Sequence, residues 1–265
     1  MIKNAKEIQL MRESCRLLSL VFAQIDQLDL TGMSTLAVND LVERYIVDVL
    51  KARPASKGQY GFAYVLNSSI NEVVCHGVPS AQDILKTGDI VNFDITLEKN
   101  GYIADSSKMY CVGPVSAEAK RLVDTTYAAM CIGIAQVKAG ARLGDIGHAI
   151  ESYARQHGYS VVRDYCGHGI GRKMHEEPSV LHFGSAHTGM ILQAGMTFTI
   201  EPMLNQGKRT VYVRDDGWTV VTHDQLLSAQ FEHTVLVTQH GVEVLTRRPE
   251  ESFQHLLGHK SLVNN

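Results

Sequence analysis

Residues 92–108 read NFDITLEKNGYIADSSK, two strand-like runs joined at Asn100-Gly101. Asn-Gly is the dipeptide favoured by a two-residue type I′ turn, because both central positions need positive φ. Before the turn Phe93, Ile95 and Leu97 alternate with Asn92, Asp94 and Thr96, the period of a half-buried strand. A two-residue loop pairs Lys99 with Tyr102, Thr96 with Asp105 and Asp94 with Ser107. Asp94 and Asp105 then lie diagonally on one face, within reach of a shared ligand. Taken alone, such a pair reads equally well as two solvated aspartates, so the rest of the chain must decide.

Working outward, the chain carries one plan twice. Asn4 as N-cap and Glu7 three residues on open a helix whose Ile8, Met11, Cys15, Leu18, Phe22 and Ile25 share a face. A second helix follows Thr31-Gly32, with Leu36, Val38, Leu41, Val42, Tyr45 and Ile46 at helical spacing. After 108 residues Gly32 returns as Gly140, Val38 as Ile146, Val42 as Ile150, Glu43 as Glu151 and Tyr45 as Tyr153. Each half then carries His-x-x-Pro (His76 to Pro79, His175 to Pro178) and Leu-x-x-Gly (Leu85 to Gly88, Leu192 to Gly195). An acid stands six residues after each of those glycines, Asp94 and Glu201. A helix pair, two short motifs and an acid in matching order point to internal duplication. The expected architecture is α+β: a curved, mostly antiparallel sheet from both halves, helices on its outer face, and Asp94 facing Glu201 near a pseudo-twofold axis. Residues 1–246 are expected to form a single catalytic domain. Residues 247–265 are expected to be a polar surface tail with a short helical piece at Phe253 to Leu257.

Two further strands carry carboxylates where apolar neighbours would not require them. Glu201 closes MTFTIEP, in which Met196, Phe198 and Ile200 alternate with polar residues before Pro202. Glu232 lies in LSAQFEHTVLVT on the face of Ser228, Gln230 and Thr234, opposite Phe231, His233, Val235 and Val237. His168 sits among three glycines in YCGHGIGR, where backbone can approach a buried centre closely. Four carboxylates converging in a cleft repel by roughly 4 kcal/mol per close pair at an effective dielectric near 20. They must hold protons or hold cations. Asp94, Asp105, His168, Glu201 and Glu232 form an oxygen-rich, thiolate-free set suited to two divalent ions such as Co, Mn, Fe or Zn, and ill-suited to structural zinc.

Other readings fall away. The glycines around His168 lack the G-x-G-x-x-G spacing between strand and helix that cradles phosphate, and HEEP is not H-E-x-x-H. With 25 Lys and Arg against 28 Asp and Glu, the net charge of -3 gives no support for direct nucleic-acid binding. Five scattered cysteines without C-x-x-C suggest free thiols in a reducing compartment. The N-terminus has no apolar core and no apolar run nears 18 residues, so neither a signal peptide nor a membrane contact is expected, and the compartment expected is the cytoplasm.

VVCHGVP, NFDIT…ADSSK, CGHGIGRKMHEEP, MTFTIEPM and SAQFEHT resemble, in that order, the successive motifs of the type I methionine aminopeptidases, over about residues 5 to 246. The resemblance implies the pita-bread fold and a dinuclear centre held by Asp94, Asp105, His168, Glu201 and Glu232. It implies removal of the initiator methionine by water activated between two cations, with Glu201 as proton shuttle, His76 and His175 contacting substrate, and a small second residue preferred. It also implies a structural monovalent cation ringed by Asn71, Val73 and Ser228. Nascent-chain N-termini are the expected partners, with the ribosome near the nascent-chain exit, and a monomer is expected. Phe62, Met174 and Trp218 supply apolar wall for the methionine side chain. The chain departs from the family pattern where Ala63-Tyr64 replaces Pro-Lys and Asn67 replaces a small residue. If Asn67 points into that pocket its amide is left without a partner there. The remaining histidines, among them His148, His187 and His240, are expected at the surface.

Two competing readings stay within the same fold. Xaa-Pro aminopeptidases and dipeptidases usually carry an additional N-terminal domain, whereas here the first helix begins within ten residues. A non-catalytic binding protein of this fold would be expected to lose metal ligands, and all five are present.

Overall fold

Asn4 and Glu7 form the capping box that starts the chain: the Asn4 side chain accepts the Glu7 N–H at 3.0 Å and the Glu7 carboxylate accepts the Asn4 N–H at 2.9 Å. The helix so begun, α1 (Ala5–Ile25), buries Met11, Cys15, Leu18, Val21, Phe22 and Ile25. It packs on the strand Tyr102–Cys111, where the Ser14 hydroxyl donates to the Tyr102 carbonyl at 2.9 Å. Helix α2 (Thr35–Arg44), capped by Ser34, runs into one π-helical turn at Tyr45–Val49 and buries Val38, Val42 and Ile46. The second half repeats the pair as α3 (Ala117–Ala135) and α4 (Leu143–Gln156). This computed structural model describes residues 1–253.

The duplication extends to individual hydrogen bonds. Gly32, at φ 80°, donates to the Leu85 carbonyl at 2.8 Å, and Gly140, at φ 88°, donates to the Leu192 carbonyl at 2.9 Å. Leu85 returns a bond to Met33 O and Leu192 to Ala141 O. Gly88 and Gly195 each donate at 2.9 Å to the strand behind them, at Val112 and Val237. Both turns need left-handed backbone, which is why glycine stands at both. Each half also owns a core, one around α1 and α2, the other around α3 and α4.

A nine-stranded antiparallel sheet joins the halves. Its middle runs Leu66–Ile70, Ile90–Lys99, Tyr102–Cys111, Glu232–Val237, Thr197–Ile200, Gly167–Gly169 and Glu176–Val180. The hairpin register is the one expected: Lys99 faces Tyr102, Thr96 faces Asp105 and Asp94 faces Ser107, with Asn100 at φ 55° and Gly101 at φ 81°. One expectation needs correcting. The strands that meet between the halves are Tyr102–Cys111 and Glu232–Val237, so Asp105 and Glu232 stand nearest the pseudo-twofold axis. Asp94 and Glu201 sit one strand further out on either side, because in each pair the later strand, Tyr102–Cys111 or Glu232–Val237, lies inward.

The segment after Thr246 also differs from expectation where it is described. Arg248 is 1 % exposed and Phe253 is 3 % exposed, while residues 247, 249, 250 and 252 are exposed, so the described part of this surface segment is anchored by two buried side chains. The Arg248 guanidinium donates to Ser107 O at 2.6 Å, Ser106 Oγ at 3.0 Å and Glu251 Oε1 at 2.7 Å, and lies over the Phe22 ring. A planar cation with five donors can be buried once those donors find acceptors, which composition does not reveal. Most of the short helix expected at Phe253 to Leu257 lies outside the described residues. Arg248→Met should leave Glu251 buried without its cation. Breaking such a pair costs about 3–5 kcal/mol, and at about 2–4 °C per kcal/mol the melting temperature should fall on the order of 10 °C, read by calorimetry.

Candidate active site

Directly opposed residues in an antiparallel pair share a face. Asn67 opposes Asp94, Asp94 opposes Ser107, and Ser107 opposes Glu232, so one row crosses four strands. Asp105, two residues before Ser107, adds a third carboxylate to the same face, and Thr234 braces its strand by donating to the Asp105 carbonyl at 2.8 Å. Glu201, one residue past the strand Thr197–Ile200, comes from the other half. The Thr199 hydroxyl holds its Oε1 at 2.6 Å and the Gln230 amide reaches its Oε2 at 3.4 Å.

His168 closes the group. Its Nδ1 lies 3.1 Å from the Gly169 carbonyl, which can only accept, so the ring proton sits on Nδ1 and the Nε2 lone pair is free. That Nε2 is 3.7 Å from Asp105 Oδ2 and 3.6 Å from Glu201 Oε1. Gly169 cannot be replaced by a larger residue, since a Cβ there would lie 2.1 Å from the Glu177 carbonyl oxygen.

The electrostatics ask for cations. Burial pushes the Glu201 carboxyl up to about 8, against the Thr199 hydrogen bond and with the charge of Asp94 adding to it. Burial raises Asp94 to about 6 while the Asn67 hydrogen bond opposes the rise. Asp105 and Glu232 are driven well above the carboxylate range by burial and then by the neighbouring carboxylates. His168 is pulled down to about 4 by burial, so it is neutral. Asp105 Oδ1 and Glu232 Oε1 are buried without a hydrogen-bond partner, which buried polar atoms rarely tolerate. Asp105, His168 and Glu232 each offer a ligand atom, all within 4.8 Å of one another. A neutral imidazole, orphaned carboxylate oxygens and mutual repulsion fit divalent metal.

The five converge on a cavity of about 600 Å³. Phe62, Asn67, His76, Met174, His175 and Trp218 line it as expected. Phe62 and Trp218 meet edge to face at 5.1 Å. The Asn67 amide is not left unpartnered: its Nδ2 donates to Asp94 Oδ2 at 3.1 Å, because the two residues oppose each other across the strands. His175 packs edge-on to His168 with ring centres 4.4 Å apart, and burial lowers its pKa. His76, held at φ 55°, is likewise lowered by burial, with His175 adding to it. Asn71 and Ser228 are brought together by a 2.9 Å bond from Ser228 N to Asn71 O. Their side chains are already engaged, Asn71 with Asp89 and Ile90, Ser228 with Asn205.

Two residues beside the site, and one buried histidine on the opposite face of the sheet, were not foreseen. Tyr60 stacks on His175, its hydroxyl 3.4 Å from Nδ1. Neutral His182, 1 % exposed, accepts the Glu201 N–H on Nε2 at 3.1 Å and fixes the backbone behind that carboxylate. His233 is fully buried and bonded to Thr246 and Glu251. The surface expectation fails for these two histidines and holds for His148, His187 and His240, which are exposed. His182 continues the alternation that buries Pro178 and Val180, so its burial was readable.

Residues 9–239 match metallopeptidase family M24. The chain belongs to that family: it is a hydrolase that binds divalent metal. The chain is 47 % identical over 251 residues to the methionine aminopeptidase of Haemophilus influenzae, covering 94 % of each. The crystal structure of methionine aminopeptidase from Rickettsia prowazekii superposes with a TM-score of 0.90 at 46 % identity, covering 93 % of this chain and 99 % of that one. Prolidase from Pyrococcus furiosus shares the fold at 23 % identity and a TM-score of 0.73, with 94 % of this chain covering 66 % of it. Among the described residues no helix is long and apolar enough to cross a membrane.

Proposed function

We propose that this hydrolase removes the N-terminal methionine from new polypeptide chains. The observation that carries the reading is that Asp94, Asp105, His168, Glu201 and Glu232, of which Asp105, His168 and Glu232 offer ligand atoms within 4.8 Å of one another, line the same cavity as Phe62, Met174 and Trp218. Asp94, Asp105, His168, Glu201 and Glu232 would hold two divalent ions, from among Co, Mn, Fe and Zn. Such ions supply Lewis acidity and an acidified water at neutral pH.

The chain's own residues do the rest. Glu201 would accept the proton of the attacking water on its carboxylate and pass it to the leaving peptide nitrogen. His175 donates to the scissile carbonyl oxygen as negative charge grows there, and His76 donates to the following peptide group. Phe62, Met174 and Trp218 enclose the methionine side chain. The same reading assigns a monovalent cation to Asn71, Val73 and Ser228. It treats residues 1–246 as one catalytic unit, working in the cytoplasm as a monomer, on chain N-termini at the ribosome's exit.

A cavity enclosed between two half-sheets favours a small second residue. Met-Ala-Ser should be hydrolysed with kcat/KM roughly tenfold or more above Met-Leu-Ser, the scale of steric discrimination by a pocket. Ala-Pro peptides should not be cleaved. Equal rates for Met-Ala-Ser and Met-Leu-Ser would remove the size argument. Preferred cleavage of Xaa-Pro bonds would shift the assignment to a dipeptidase of the same fold.

A further inference from the structure

We propose that Asn67 is a positioning residue for Asp94, orienting through its side-chain amide the carboxylate on which one divalent cation depends. This rests on the two-metal reading of the acid cluster. The two residues are directly opposed on neighbouring antiparallel strands, and Asn67 Nδ2 lies 3.1 Å from Asp94 Oδ2. An ionised carboxylate can only accept, so the amide's NH₂ must face Asp94 and its oxygen must turn away.

Among the described residues Asn67 is the one neutral side chain that hydrogen-bonds Asp94, whose other side-chain partner is the carboxyl of Asp105. Glu201 differs in being held at both oxygens, by Thr199 and Gln230. Asp105 Oδ1 and Glu232 Oε1 have no partner, leaving them to a metal. Asp94 is therefore braced by a neutral donor on Oδ2 alone. The brace is a short side chain whose backbone is fixed on both flanks by pairing from Leu66↔Ile95 to Ile70↔Val91. That is the arrangement of a group behind a ligand, whose loss typically weakens metal affinity ten- to 100-fold.

The position also ends the row Asn67, Asp94, Ser107, Glu232. Among the described residues the row meets no further strand of the sheet beyond Asn67. An apolar or truncated side chain at position 67 would leave the Asp94 carboxylate free to rotate about its last torsion. The reaction would then be affected through metal occupancy and not through the methionine pocket.

The test is calorimetric titration of Mn²⁺ into the chelator-stripped full-length chain, comparing wild type with Asn67→Ala and Asn67→Leu. One of two Mn²⁺ events should weaken by about ten- to 100-fold, and the other by less than about threefold. The melting temperature of the metal-free chain should stay within a few degrees of wild type. A purely structural role would shift both events and the metal-free melting temperature together. A role confined to the pocket wall would change KM for methionyl peptides and neither event. Either result overturns the proposal. Wild type taking up no Mn²⁺ would instead bring down the two-metal reading beneath it. Asn67→Leu keeps the side-chain volume, so a folding defect in Asn67→Ala alone does not leave the question open.

Discussion

Stripping divalent cations with a chelator should abolish peptide hydrolysis and restore it on addition of Mn²⁺ or Co²⁺. It should also give the protein a pH dependence of stability that the loaded form lacks. Without cations the cluster must neutralise itself with protons, since burial and mutual repulsion raise all four carboxyls, Asp94 to about 6 and Glu201 to about 8. A carboxyl whose folded pKa exceeds its unfolded value binds more protons when folded. Its contribution is therefore fully present below about pH 4, where both states are protonated, and is lost as pH rises through the folded value. The metal-free chain should lose melting temperature steadily between about pH 5 and pH 8.

Cations bind the deprotonated groups, so loading should restore more stability at pH 8 than at pH 5. Differential scanning calorimetry at both values, with and without chelator, reads the effect directly. A metal-free chain that hydrolyses methionyl peptides at the loaded rate would dispose of the two-metal reading. A chelator-induced shift that is larger at pH 5 than at pH 8 would contradict the electrostatic account of the cluster. Glu201→Gln should flatten part of the metal-free pH dependence, because it removes one of the titrating groups without changing the shape of the site.

The carboxylates were legible because each violates the pattern around it. Asp94, Glu201 and Glu232 occupy polar positions on strands whose alternation is otherwise apolar, and Asn100-Gly101 fixes the register that brings Asp94 beside Asp105. The duplication was legible because left-handed turns demand glycine, so Gly32 and Gly140 mark equivalent points without any alignment. Strand order was less readable. Nothing in a strand's own residues says which edge meets the other half, and so Asp105 and Glu232, not Asp94 and Glu201, turned out to flank the axis. Burial of Arg248 escaped notice for a different reason. Two of its three acceptors, Ser106 and Ser107, stand about 140 residues earlier in the chain, and a long-range partner leaves no local pattern. His233 lay on an alternation already identified as apolar, and His182 continues the alternation that buries Pro178 and Val180. They were readable by the same period-2 rule that found Glu201 and Glu232, had polar residue type not been allowed to override position.

His175→Ala should lower kcat by on the order of 10²-fold, the usual loss when one donor to a developing oxyanion is removed, while metal content stays at the wild-type value. The ring is well placed for that role. It packs against His168 with centres 4.4 Å apart, which sets it over the metal-ligating cluster without making it part of the ligand set. Burial lowers its pKa, so at neutral pH the imidazole is neutral and carries a single proton. A Tyr60 hydroxyl donating to Nδ1 across their 3.4 Å contact would leave the N–H on Nε2 as the donor to substrate. Since the interaction is made mainly as charge develops on the carbonyl oxygen, kcat should fall much more than KM rises. His175→Gln keeps a side-chain N–H donor and should recover part of the loss, whereas His175→Ala should not. Tyr60→Phe should fall between wild type and His175→Ala, because the ring stack survives and only the hydroxyl that orients the tautomer is gone. The decisive control is metal analysis of each purified variant beside steady-state kinetics on Met-Ala-Ser. If metal content drops in step with activity, His175 supports the cation centre and the oxyanion role is wrong. If KM rises tenfold with kcat unchanged, the residue binds substrate and transition state alike, and the proton on Nε2 has no special part in the chemical step.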